Sequence, residues 1–180
     1  MLIDIVGNFS ALMNAHNLSH WVDSGTLLGA IRHQGLIPHD QDSDFGIDED
    51  AYKYLRDSPI EVPEPFVLHV WDSDVNDPGK RDEAIPIRFV NTNSGLYSDV
   101  FVFKDWEDRY ERPMLGPVPS GCFGDCVRCD SVDGAAHFQV PYEWIYPLVT
   151  CKFEHFSTFC PRESIKYIRY LFGDDYMTPQ

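Results

Sequence analysis

Carboxylates at every second residue, Asp40-Gln41-Asp42-Ser43-Asp44, run directly into Phe45-Gly46-Ile47. On an extended chain, residues i and i+2 share a face. The three acids therefore stand on one side of a strand whose continuation enters a core. Like charges placed this way repel one another unless a cation sits among them. Oxygen donors on a regular element suit Mg²⁺ or Mn²⁺. Two other readings of the triplet are an acidic surface loop and a calcium loop. A helix–loop–helix calcium loop needs Gly at its sixth position and Glu at its twelfth. Counted from Asp40, those positions hold Phe45 and Tyr52.

What precedes the triplet sharpens the choice. Asp23-Ser24-Gly25-Thr26 leads into Leu27-Leu28-Gly29-Ala30-Ile31-Arg32. A strand that ends in Ser-Gly-Thr and opens a helix presents free backbone N–H groups, a natural cradle for phosphate. Arg32 follows two turns later and is expected to neutralise a phosphate. The alternative is a plain helix start with Ser24 as its cap. A third carboxylate is expected from a neighbouring strand, and Asp99 supplies it, standing beside Val100-Phe101-Val102-Phe103. A charge in so apolar a strand needs a reason, and a shared metal is one. Arg88, in the strand expected over 85–91, is a further candidate to face donor phosphates; a surface salt bridge is its other reading.

The remaining pattern is mixed. Helical spacing covers residues 2–16, with Ile3, Val6, Phe9, Leu12 and Met13. Leu18 to Val22 reads as a strand, Leu27 to His33 as a helix, Asp42 to Ile47 as a strand. Asp48 is a good N-cap for a helix to about Asp57. Strands follow at Phe66 to Trp71, Ile85 to Asn91 and Leu96 to Phe103. Residues 104–140 are rich in Pro, Gly and Cys and are expected to be irregular. A short turn or helix over Pro141 to Pro147, a β-hairpin over Cys151 to Phe159, and a helix over Pro161 to Phe172 close the chain. The order implies an α/β or α+β fold, a mixed sheet flanked by helices, in one domain across residues 1–180.

The formal net charge of −15 argues against nucleic acid as a partner, because duplex binding rests on Lys and Arg. No apolar run approaches the length of a membrane span, and the N-terminus lacks the basic and small-residue marks of a signal peptide. A cytoplasmic location is the expectation, with a Golgi or membrane-associated one if the chain is part of a longer anchored protein.

The run Gly25-Thr-Leu-Leu-Gly-Ala-Ile-Arg-His-Gln-Gly-Leu-Ile-Pro-His-Asp-Gln-Asp-Ser-Asp-Phe-Gly46 resembles the signature of the LicD/fukutin family. Ser98-Asp99-Val100-Phe101 is similar to that family's second aspartate strand. Tyr146-Pro147-Leu148, Cys160-Pro161-Arg162 and the segment Leu171 to Pro179 resemble its closing region. The resemblance implies a nucleotidyltransferase-type fold. It also implies metal-dependent transfer of a phosphorylated alcohol, phosphocholine or ribitol phosphate, from a CDP-linked donor to a glycan hydroxyl. On that reading Asp42, Asp44 and Asp99 hold Mg²⁺ or Mn²⁺, Asp40 completes the catalytic set, and Ser24, Gly25, Thr26, Arg32 and Arg88 bind donor phosphates. The alternatives are nucleotidyl transfer to another small-molecule acceptor and a non-catalytic nucleotide-binding relative. This chain departs from the pattern at Ser24, where a glycine often stands, and at His39, where tryptophan often stands.

Five cysteines remain: Cys122, Cys126, Cys129, Cys151 and Cys160. The spacing C-x3-C-x2-C without a signal peptide points to metal more than to disulfides. A structural zinc held by Cys122, Cys126, Cys129 and His137 is the expectation, and some eukaryotic members of the resembled family look similar in carrying a zinc-bound insertion.

Overall fold

The computed structural model describes residues 1–118, 126–132 and 135–178. Its sheet is organised around one long strand, β5 (Tyr97–Glu107), whose first half lies between β2 (Asp42–Asp48) and β4 (Ile87–Asn91). Outward from these lie β1 (His20–Val22) beside β2, and β3 (Phe66–Val70) beside β4. The second half of β5 pairs with β6 (Pro113–Pro117), which pairs in turn with β9 (Val140–Pro141). The β2–β5 pairing is parallel; β1 on β2, β3 on β4, and β4 and β6 on β5 are antiparallel.

Strand alternation divides the sheet into two faces. Ser43, Phe45 and Ile47 of β2 point one way, with Ser98, Val100 and Val102 of β5. On that face lies α1 (Leu2–Ala15), whose buried Phe9 meets Phe45 and Phe89 at centroid distances of 4.7 and 5.5 Å. The Ser43 and Ser98 hydroxyls satisfy each other at 2.5 Å, which is how polar residues are admitted to this layer. The other face carries Asp42, Asp44 and Gly46 with Asp99, Phe101 and Phe103. There the indole of Trp21 lies over Gly46, where a Cβ would overlap it, and reaches Phe103 at 5.0 Å. Only glycine allows β1 and β2 to meet this closely.

Two helices flank this second face. α2 (Ser24–His33) follows β1, and α5 (Ser164–Phe172) packs against α2 and sends Tyr167 into the core. α3 (Glu49–Asp57) is capped by Asp48, whose carboxylate accepts from the Ala51 amide at 2.8 Å, as the sequence predicts. α4 (Tyr142–Ile145) is the short turn expected near 141–147. β10 (Val149–Phe153) and β11 (Phe156–Cys160) form the expected hairpin. A second small hairpin joins β7 (Asp130–Val132) to β8 (Ala135–His137).

Three expectations need correction. The helix of residues 24–33 begins at Ser24 rather than Leu27, because Asp23 and not Ser24 is its cap, accepting from the Ser24 amide. The stretch 104–140 is not wholly irregular: β5 runs on to Glu107 and pairs with β6, whose flanking Pro113 and Pro117 hid the strand pattern. Finally, Cys126 is bonded to Cys129 and Cys151 to Cys160. Sulfurs joined to each other offer no thiolate, so Cys126 and Cys129 do not serve the expected zinc in this state. Cys122 lies outside the described residues, and His137 ends β8. The Cys126–Cys129 loop instead clasps α5, with the Val127 and Arg128 amides donating to the Leu171 and Tyr170 carbonyls at 2.9 and 3.2 Å.

Candidate active site

Parallel pairing places the N-terminal ends of β2 and β5 on one rim of the sheet. Asp44 is in register with Asp99, and Asp42 with Tyr97. β1 runs antiparallel to β2, so its C-terminal end reaches the same rim and delivers Asp23 and the first turn of α2 there. Three segments distant in sequence thus meet without any long-range loop. The side chain of Thr26 fastens the corner: its hydroxyl accepts from the Asp44 amide at 2.8 Å, while the Asp23 amide donates to the Asp44 carbonyl at 3.0 Å.

Gly25 faces the acids. A Cβ there would lie 3.7 Å from Asp44 Oδ2 and 4.0 Å from Asp40 Oδ2. The first turn of α2, whose Ser24 and Leu27 amides are bonded to Asp23, therefore lies beside two of the predicted carboxylates. Ser24 adopts φ of 45°, a left-handed conformation that costs a non-glycine residue free energy. Its Oγ is buried and makes no hydrogen bond of full geometry among the described residues, although the Ser24 side chain is close enough to the Asp23 carboxylate to help hold its pKa down. A buried hydroxyl so loosely held at a helix N-terminus is a fitting receptor for an anionic oxygen.

The electrostatics of the rim are those of crowded like charges. Burial, and then the charges of Asp42, Asp23, Asp99 and Asp40, push the Asp44 carboxyl well above the usual carboxylate range. Burial and Asp42 also raise Asp40. Asp23 is fully buried, and that desolvation lifts it to about 6, against the lowering effect of hydrogen bonds from Tyr167, the Ser24 amide, Trp21 and the Ser24 side chain. Such a set is relieved by a cation, and hard oxygen donors match a divalent one. Among the described residues, no three His, Cys, Asp or Glu side chains stand already closed as a metal-ligand group. The fit rests on donor chemistry and on mutual repulsion.

The structure assigns the remaining predicted residues different surroundings. Asp99 is not free: Arg88 grips it with two bonds, Nε to Oδ1 at 2.5 Å and a terminal nitrogen to Oδ2 at 2.8 Å, and Arg81 approaches Oδ1 at 3.8 Å. The Arg88 guanidinium also lies 3.8 Å from the centroid of the Tyr97 ring. Arg32 sits in the last turn of α2, about 12 Å along the axis from Ser24, and donates to the Thr178 carbonyl at 3.2 Å. It is not brought to the helix N-terminus. Thr26 is wholly buried and is engaged in bracing β2.

Sequence reasoning missed Asp23 and Tyr167. A signal for Asp23 was present, namely a carboxylate directly before a helix start, the cap position. Tyr167 gave none, since it falls on the apolar stripe of α5 with Ile168 and Leu171.

The profile described as LicD/FKTN/FKRP, nucleotidyltransferase domain, matches residues 17–163. An uncharacterized protein of Rickettsia prowazekii is 48% identical over 46 residues, 26% of this chain and 17% of its own length. The lipopolysaccharide cholinephosphotransferase LicD of Haemophilus influenzae is 40% identical over 55 residues, 31% of this chain and 21% of its own. The matched segments thus span about a fifth of these relatives.

Proposed function

Because this chain belongs to the LicD/FKTN/FKRP nucleotidyltransferase-domain family, we propose that it is a transferase moving a phosphorylated alcohol, phosphocholine or ribitol phosphate, from a CDP-linked donor to a glycan hydroxyl. One observation carries the reading: the first turn of α2 lies beside Asp44 and Asp40 with a glycine at the point of closest approach. A phosphate at this helix end would stand beside like-charged carboxylates, and a cation would relieve their repulsion. Asp40, Asp42 and Asp44 would hold Mg²⁺ or Mn²⁺, with Asp99 beside Asp44 and paired with Arg88. When bound, the ion neutralises charge on the transferring phosphate and polarises it.

The residues of the chain supply the rest. The α2 N–H groups and the Ser24 hydroxyl hold donor phosphate oxygens. Arg88 and Arg81, already placed at Asp99, bring positive charge to the rim. The acceptor oxygen forms a bond to the phosphorus that bears the alcohol, and the phosphoanhydride bond to CMP breaks. CMP leaves with the electron pair, and the hydroxyl proton passes to a carboxylate of the set, whose surroundings raise its proton affinity. Thr26 and Asp23 keep β2 and α2 in register during this exchange.

The location is part of the proposal. Among the described residues, no helix is long and apolar enough to cross a membrane. Two disulfides fit an oxidising compartment, in place of the cytoplasmic expectation.

The test is product analysis with CDP-choline and CDP-ribitol, glycan acceptor, and Mg²⁺ or chelator. CMP release with phosphorylated acceptor, lost in chelator and in Asp44→Asn, is the expected result. Diphosphate release from CTP would favour nucleotidyl transfer. Full activity in a folded Asp44→Asn would sink the mechanism.

A further inference from the structure

Asp23 is buried to 0% exposure, 144 residues from the tyrosine that serves it. Its two carboxylate oxygens accept from Tyr167 Oη at 2.7 and 2.9 Å, Trp21 Nε1 at 3.2 Å and the Ser24 amide at 2.6 Å. A carboxylate in the core costs far more than an apolar residue unless every oxygen is served. Capping alone does not explain this expense, because a solvated Asp or Ser caps a helix equally well. What the buried arrangement adds is a fixed direction. It ties the residue where β1 ends to α5, and through the Ser24 amide and side chain it bears on Ser24, which stands at φ of 45° with its Oγ buried. Tyr167 lies beyond the segment 17–163 matched by the family profile.

We propose that Asp23 and Tyr167 are a positioning pair for the phosphate-binding turn of α2. Resting on the functional reading above, the pair orients Ser24 and the Gly25 backbone toward the donor phosphate without touching it. α5 thereby becomes part of the site, since its tyrosine hydroxyl fixes the angle at which α2 leaves β1. Asp23 also acts on the metal-holding acids, through its charge on Asp44 and its amide on the Asp44 carbonyl, whereas the Tyr167 hydroxyl bonds Asp23 and none of them. Tyr167→Phe is therefore the variant that separates phosphate binding from metal binding.

The test uses the full chain as wild type, Tyr167→Phe and Asp23→Asn. The probes are inorganic diphosphate with Mg²⁺, followed by calorimetry, and Mn²⁺ alone, followed by electron paramagnetic resonance. Unfolding in urea reports the fold. Removing one bond to a buried carboxylate is expected to weaken diphosphate about tenfold in Tyr167→Phe. Mn²⁺ affinity should stay within about twofold, while the urea midpoint falls by no more than the loss of one hydrogen bond to a buried carboxylate. Faster amide exchange at Ser24 and Gly25 should accompany the loss. Should Asp23→Asn not fold, Tyr167→Phe carries the test, being isosteric. Unchanged diphosphate affinity in Tyr167→Phe overturns the positioning role while leaving the site reading intact. Equal loss of diphosphate and Mn²⁺ affinity also overturns it, showing a role in holding the fold only. A wild type that binds neither probe overturns the site reading, and the pair's role with it.

Discussion

Gly25→Ala separates what the fold needs from what the site needs. The added methyl would lie 3.7 Å from Asp44 Oδ2 and 4.0 Å from Asp40 Oδ2. Both are ordinary contact distances, so the unliganded fold accepts it. Gly25 is the second residue of α2, and alanine is favoured over glycine in helices by up to about 1 kcal/mol. Near a helix end the gain is smaller, about 0.5 kcal/mol. The same methyl occupies the space where a phosphate oxygen would approach the helix N–H groups, which hydrogen bonding requires to within about 3 Å. Loss of at least about tenfold in kcat/KM follows, equivalent to about 1.4 kcal/mol of transition-state stabilisation. Urea unfolding and CMP release, measured on the same preparations, check the two halves. A variant as stable as wild type and fully active would refute the placement of the donor. One destabilised by more than about 1 kcal/mol would show that the methyl does not fit.

Stability should depend on pH in a direction opposite to that of most salt-bridged acids. Asp23 is raised to about 6 and Asp44 well above the usual range, both chiefly by burial, so the folded chain holds these protons more tightly than the unfolded one. In chelator, the free energy of unfolding should therefore fall as pH rises from the unfolded carboxylate value through the folded ones. The Asp23 window, from 3.8 to about 6, corresponds to about 3 kcal/mol. Urea midpoints between pH 4 and 7.5 measure it; a profile that Asp23→Asn does not flatten contradicts the assignment. The cysteine pairing gives a separate expectation. Of five cysteines, four are bonded, so unreduced, denatured protein should titrate at most one thiol per chain. Replacing Cys151 and Cys160 together by serine should cost about 2–3 kcal/mol in urea unfolding.

The carboxylate rim was legible because its chemistry repeats at the period of a strand. Asp42, Asp44 and Asp99 follow from alternation and from charge set in apolar runs, and the parallel register then brings Asp44 beside Asp99. What Asp99 touches was not legible. Its bond to Arg88 depends on the register of β4 against β5, which tertiary packing decides. The start of α2 was ambiguous for a local reason, since Asp23, Ser24 and Thr26 can all cap a helix. Arg32 was misplaced toward the phosphate because linear distance along a helix was read as reach. Cys126 and Cys129 carried a spacing compatible with either thiolate ligation or a bond to each other, and spacing alone does not choose. Tyr167 was hidden completely, because a tyrosine on an apolar stripe shows its ring to the sequence reader and its hydroxyl only to the fold.

β5 is eleven residues long, and the acidic rim uses only its beginning. Its other end, where residues 108–112 turn back into β6, lies about 26 Å along the strand from Asp99. Asp108 closes that turn by itself, accepting from the Tyr110 and Arg112 amides at 2.8 and 3.0 Å. A locally closed turn of this kind tolerates insertion, because the segment that grows there need not disturb the pairing that feeds it. The near end of the strand carries the acidic rim, while its far end accepts a longer turn without moving that rim.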